Sequence, residues 1–175
     1  EPYRFVAEGD IDAIDDSNIH RTFFGRHLRY ALKGLRKLYG DFGTMEALAA
    51  RHAADAAPAW EIAKDINAIF AVANSSNPVG PTRCLPENVD SSALKRFNMA
   101  LRWLVSNDGI VDIGVWTAIK PSQLFLPLDV HSSNTARSLG ILTRKANDRR
   151  AVWEVTAVLR EMRPDDPTIY DFALF

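Results

Sequence analysis

From His20 to Tyr39 the apolar residues Phe24, Leu28, Leu32, Leu35 and Tyr39 step by three or four positions, the stripe of an amphipathic helix. Gly40 and Gly43 end it. Thr44 suits the cap of a short helix to Arg51, and Pro58 the first turn of a longer one that turns Ile62, Ile66, Ile69, Phe70 and Ala73 inward. Asn74 to Asp90 is irregular and rich in Ser, Pro and Gly. Asp90, Ser91 or Ser92 then caps a helix on which Leu94, Phe97, Leu101, Leu104 and Val105 share a face, closed by Asn107-Asp108-Gly109. Asp112–Ala118 and Pro121–Phe125 read as short pieces, the second stopped by Pro127. Leu128-Asp129 opens a helix through Leu139, with Gly140 at its end. Asn147 or Asp148 caps the helix bearing Val152, Val155, Val158, Leu159 and Met162, and Asp166-Pro167 starts a last one. No segment alternates long enough to make a hairpin. The pattern predicts an all-α domain of at least six helices, with no sheet beyond isolated bridges.

Composition narrows the class. At 175 residues, 47% apolar and 25% charged, the chain is the size of one domain and can bury a full core. One cysteine, Cys84, forms no internal disulfide, which fits a reducing cytosol. No apolar run approaches the ~18–20 residues of a membrane helix and no signal peptide is visible, so a cytoplasmic protein without a membrane partner is expected. The chain begins at Glu1-Pro2 and stops inside Phe172-Ala173-Leu174-Phe175, and so reads as a fragment of residues 1–175 lacking sequence at both ends.

The net charge of -1 hides an uneven distribution. Residues 1–19 carry net -5, residues 20–40 net +6 and residues 131–163 net +4. The two basic stretches point to a nucleic-acid face that includes Arg21, Arg26, Arg29, Arg137, Arg144 and Lys145, although solvated helix faces explain either stretch alone.

Common catalytic signatures are missing: no phosphate-binding Gly-rich loop, no GxSxG elbow and no Cys/His set for zinc. No metal or cofactor is expected. Asp129 and His131 lie two apart, awkward for one helical face, and His20, His27 and His52 are scattered. Two ionisable residues stand out by position. Lys95 lies within the first turn or so of the helix starting near Asp90, next to Leu94 and Phe97, where a snorkelling lysine is the plain alternative to a chemical role. Asp129 follows Leu126-Pro127-Leu128 at a helix start, where an N-cap is the plain alternative.

Resemblance extends these readings. LDVHSSNTARSLGI, residues 128–141, resembles the VDTHVxRVxxRLG stretch of the helix-hairpin-helix (GPD) DNA glycosylase superfamily, matching at Asp129, His131, Arg137 and Leu139-Gly140. A closer likeness covers most of the chain. The segments beginning at His20, Ser91, Val111 and Asp165, with KRFNMALRWLV, KPSQLFLPLDVH and YDFALF, look like an uncharacterised bacterial family with KRxNMxLRWMVR, PSQLxxPLDVH and YDFALFGLG motifs.

The superfamily resemblance implies a glycosylase-like helical bundle and a DNA partner. It implies an atypical hairpin too, because Val89-Asp90-Ser91-Ser92-Ala93-Leu94 stands where the superfamily has a Gly-rich turn. Asp129 would be the catalytic carboxylate and general base, and Lys95 the nucleophile of a bifunctional glycosylase and abasic-site lyase. The nucleophile must be deprotonated, which burial against Leu94 and Phe97 and the neighbouring Arg96 would favour. Asn98, Arg102, Trp103, Trp116 and His131 would shape the substrate pocket, with Phe125 and Trp153 as further aromatic candidates for an extruded base. No obligate protein partner is inferred. Two alternatives stay open: a nucleic-acid-binding protein that excises nothing, and a structural domain whose motifs serve packing.

Overall fold

The computed structural model describes residues 1–76 and 86–175; Cys84 and the middle of the Asn74–Asp90 stretch lie outside them. The described residues form eight α-helices, two single 3₁₀ turns and one two-stranded sheet, so the architecture is mainly helical. In chain order the helices are α1 (Pro2–Glu8), α2 (Gly25–Phe42), α3 (Met45–Ala50), α4 (Pro58–Ala73), α5 (Lys95–Val105), α6 (Val130–Ser138), α7 (Arg149–Met162) and α8 (Asp171–Leu174).

The centre is the pair α2 and α4. Gly34 of α2 lets the ring of Phe70 come so close that a Cβ at that position would stand 2.3 Å from it. Trp60, fully buried on α4, anchors the next layer by donating its indole N–H to the Ser92 carbonyl at 3.0 Å, which fixes the turn before α5. The segment Leu124-Phe125-Leu126-Pro127-Leu128 runs extended through the core after a 3₁₀ turn at Pro121–Gln123. Such a strap must find partners for its backbone. Leu126 N–H donates to the Thr156 hydroxyl at 3.1 Å, and Arg160 donates to the Ser122 and Leu124 carbonyls at 3.2 and 3.1 Å. The strap ends at Asp129, and α6 begins one residue later.

Several elements depart from the sequence pattern. The helix expected from His20 begins only at Gly25, and the residues before it form a small antiparallel hairpin, β1 (Asn18–His20) with β2 (Phe23–Phe24). The cause is the acidic N-terminal segment, which crosses the start of α2 so tightly that a Cβ on Gly25 would lie 1.7 Å from the Asp15 carbonyl oxygen. Phe24 N–H donates to Nδ1 of His27, which closes the hairpin onto the helix. None of Asp90, Ser91 and Ser92 caps α5: the preceding residue, Leu94, is left-handed at φ 48°, and Ser92 Oγ instead accepts from Leu94 N–H at 3.2 Å. Asp112–Ala118 forms no element; a single bridge pairs Asn107 with Ile113. Asp148, not Asn147, caps α7. Among the described residues no helix is long and apolar enough to cross a membrane.

Candidate functional site

The structure brings Lys95 and Asp129 together. Lys95 Nζ lies 3.3 Å from Asp129 Oδ2, although the residues come from the starts of two helices 34 positions apart. Asp129 divides its two oxygens. Oδ1 accepts the N–H and the hydroxyl of Ser132, at 2.9 and 3.1 Å, while Ser132 Oγ accepts the N–H of Asp129 at 2.9 Å. Oδ2 is left to face the amine. The helix cap and the ion pair therefore coexist on one carboxylate. Partial burial pushes the Asp129 pKa up, but the Ser132 N–H, Lys95 and the Ser132 hydroxyl outweigh it, and the net shift is downward. Asp129 is an anion at neutral pH. The expected burial of Lys95 does not occur: its side chain is 43% exposed, whereas Leu94 beside it is buried.

A second ionic cluster adjoins the pair along α5. Arg102 lies seven residues after Lys95, two turns along the same face. Its Nε donates to Asp112 Oδ2 at 3.1 Å and its Nη1 to Asp171 Oδ2 at 2.7 Å, and its guanidinium lies 4.3 Å from the centre of the Phe172 ring. Arg102 and Asp112 are almost wholly buried, and Asp112 Oδ1 has no partner. Burial pushes the Asp112 carboxyl up against the opposing pull of Arg102. Asp171 is raised as well, foremost by burial; the anion of Asp129 adds to this while Arg102 and Lys95 oppose it. Lys95, Asp129, Asp171 and Arg102 thus share one electrostatic neighbourhood.

The remaining site residues fall into three groups. Asn98 is buried, and its Nδ2 donates to the Ala93 carbonyl at 3.0 Å, so it braces the turn before Lys95. His131 is exposed on α6, with its ring 5.6 Å from that of Phe175. Trp116 packs half-buried on the core, and Trp103 is 40% exposed with its carbonyl bonded to Ile113 and Gly114. Phe125 and Trp153 stack on each other at 5.7 Å beside Trp60.

The basic residues are largely engaged within the molecule. Arg26 and Arg29 pair with Asp16 at 2.8 and 3.8 Å, and Arg29 also donates to the Ile14 carbonyl. Arg137 spends its donors on the Arg144 and Lys145 carbonyls, Asn147 and Ser133, which fastens the loop between α6 and α7. Arg144 pairs with Asp148. Arg21 and Lys145 are exposed, and neither side chain has a partner among the described residues. No group of three or more His, Cys, Asp and Glu side chains that could hold a metal ion occurs among the described residues.

The profile of one protein family, described as "Protein of unknown function (DUF2400)", matches residues 1–175. The chain belongs to this family. No curated protein matches it, and no solved structure does. For this DUF2400 member, then, the site must be read from its own geometry. Sequence reasoning missed Asp112, Asp171 and Phe172. The only signal was the presence of two acids inside apolar motifs, VDIG and YDFALF, where an unpaired carboxylate would be costly. Their partner, 10 and 69 residues away, is visible only in three dimensions.

Proposed function

We propose that this protein is a DNA-repair glycosylase with abasic-site lyase activity, built on a helix-hairpin-helix glycosylase type of bundle in which the Val89–Leu94 turn replaces the Gly-rich hairpin. The observation that carries the reading is the Lys95–Asp129 contact at 3.3 Å, a primary amine facing an ionised carboxylate at a helix start. In the reaction Lys95 Nζ first gives up its ammonium proton to water and, as the free amine, attacks C1′ of the target nucleotide as the bond from C1′ to the base breaks. The electron pair leaves with the base, which takes up a proton. The sugar carries positive charge in the transition state, and Asp129, fixed by Ser132, opposes it with a charge that needs no reorganisation. Loss of the Nζ protons and opening of the sugar ring then give the imine from which strand cleavage proceeds. With its pKa lowered, Asp129 serves better as this fixed charge than as a general base.

A second reading has its own support. The exposed, ion-paired Lys95, together with Arg21 and Lys145, whose side chains have no partner among the described residues, favours a nucleic-acid-binding protein that excises nothing. Borohydride trapping on duplex DNA containing an abasic site or an oxidised base separates the two. The glycosylase reading expects a covalent adduct that Lys95→Gln abolishes. Absence of an adduct with oxidised, alkylated and abasic substrates alike would overturn it in favour of binding alone.

A further inference from the structure

One cavity among the described residues plays no part in the Lys95–Asp129 pair. It measures about 820 Å³ and lies between the turn preceding α5 and the start of α7, with Asn88, Ser91, Arg149, Arg150 and Trp153 in its wall. That volume is within the range that holds a small-molecule ligand, ~300–1,000 Å³.

The charges around the cavity are unequal in what they leave free. Three carboxylates line it, and each is spent internally. Asp90 pairs with Lys64 at 2.8 Å and Arg149 at 3.0 Å. Asp148 takes Arg144 and caps α7 through the Ala151 N–H. Glu154 accepts the N–H and hydroxyl of Thr143. Of the cations, Arg149 is held in place between the Trp60 and Trp153 rings, 5.0 and 5.2 Å from their centres. The Arg150 guanidinium has no partner among the described residues and is exposed. Trp153 is 42% exposed, which leaves an indole surface open beside two arginines. A free cation, a fixed cation and an aromatic surface at one mouth suit a group that carries both negative charge and a planar ring.

We infer that this cavity binds a phosphate-bearing nucleotide unit, with the phosphate at Arg149 and Arg150 and the base against Trp153. Its position relative to the turn supports a unit within a strand. Arg149 N–H donates to the Ser91 carbonyl at 3.1 Å, so the cavity wall and the segment leading to Lys95 are one piece. Ser91 and Lys95 are four residues apart, at most about 14 Å of chain. A strand presenting one nucleotide to Lys95 therefore brings a near neighbour to the cavity. The inference goes beyond the excision reading, because binding here requires neither Lys95 nor Asp129.

The test uses the full chain with two probes: adenosine monophosphate by calorimetry, and a fluorescein-labelled single-stranded 12-mer by anisotropy. At least one should bind saturably, and Arg150→Ala and Trp153→Leu should each weaken it by about fivefold or more. Lys95, which does not line the cavity, serves as the control for the mononucleotide alone: Lys95→Gln should leave the adenosine monophosphate affinity unchanged. Binding of the 12-mer without the mononucleotide assigns the cavity to a strand; the reverse assigns it to a free nucleotide; both outcomes support the site. Trp153 also packs on Phe125, so a thermal melt checks its variant, and the surface residue Arg150 decides if that variant unfolds. No saturable binding of either probe, or binding that Arg150→Ala leaves untouched, would overturn the site. Trapping at Lys95 is read separately. Loss of trapping with intact Arg150-dependent binding sinks only the excision reading, and the converse sinks only this one.

Discussion

Asp129 is a residue with two jobs on two oxygens, and substitution can separate them. Asn caps a helix as well as Asp does, so Asp129→Asn should leave α6 standing while removing the charge that faces Lys95. On the glycosylase reading, single-turnover base excision should slow by ~100-fold or more, with little change in the thermal midpoint. Asp129→Ala removes the cap as well and should cost a further ~0.5–2 kcal/mol in a denaturant melt. Arg102 poses the opposite problem. It neutralises the buried Asp112 and also holds Asp171, whose side chain is 21% exposed, so Arg102→Leu leaves Asp112 stranded and should destabilise the chain by ~3–5 kcal/mol in urea at neutral pH. The sign of the pH dependence follows from burial, which raises the pKa of Asp112 and Asp171. Acidification protonates the stranded carboxyl first, so the deficit of the variant should shrink as pH falls toward 5. A deficit that stays constant with pH would mean that Asp112 is solvated in the variant.

At the scale of elements, periodicity and caps explain what was legible. Thr44, Asp129, Asp148 and Asp166 accept N–H groups at the starts of their segments, as short polar side chains before an apolar run suggest. The start of α2 was illegible, because the stripe through Phe24 continues the helical spacing while the crossing N-terminal segment forbids the helix there. The start of α5 was illegible for a different reason: a left-handed Leu94 is set by the Ser92 and Trp60 bonds around it, not by its own propensity. The Lys95–Asp129 pairing was legible only through resemblance, and the Arg102 cluster through neither route. His52 joins elements too, between Asp55 at 2.8 Å and Asp65 of α4 at 3.0 Å. Burial lowers its pKa, but the two carboxylates prevail and the folded value rises above 6.5. A folded pKa above the unfolded one gives stability that is complete below about pH 6.5 and lost as pH rises through the folded value. Wild type should therefore lose part of its stability as pH climbs from 6 to 9, and His52→Gln should flatten that slope in urea titrations.

Across the whole molecule the two charge blocks of the N-terminal forty residues largely cancel by folding onto each other. Asp12 pairs with Lys33 at 2.5 Å, Asp16 holds Arg26 and lies 3.8 Å from Arg29, and Arg36 donates to the Val6 and Gly9 carbonyls. The +6 stretch read from the sequence is thus partly occupied in the folded protein. Phosphates that approach α2 must compete with the carboxylates of the segment before it. Removing those charges without changing their shape should release the competition. Asp12→Asn/Asp16→Asn should raise the affinity for duplex DNA and steepen its salt dependence, because up to three more cations become available for counterion release. Each added phosphate contact increases the slope of log K against log salt by about 0.9 in magnitude, so a change of one to three is the expected reading. The pairs are mostly exposed and individually weak, so the folded state should lose little stability, and a melt distinguishes release from unfolding. A salt slope unchanged by the double substitution would remove α2 from the proposed nucleic-acid face and leave the residues after α6, with Lys145 and Arg150, as the basic surface that remains.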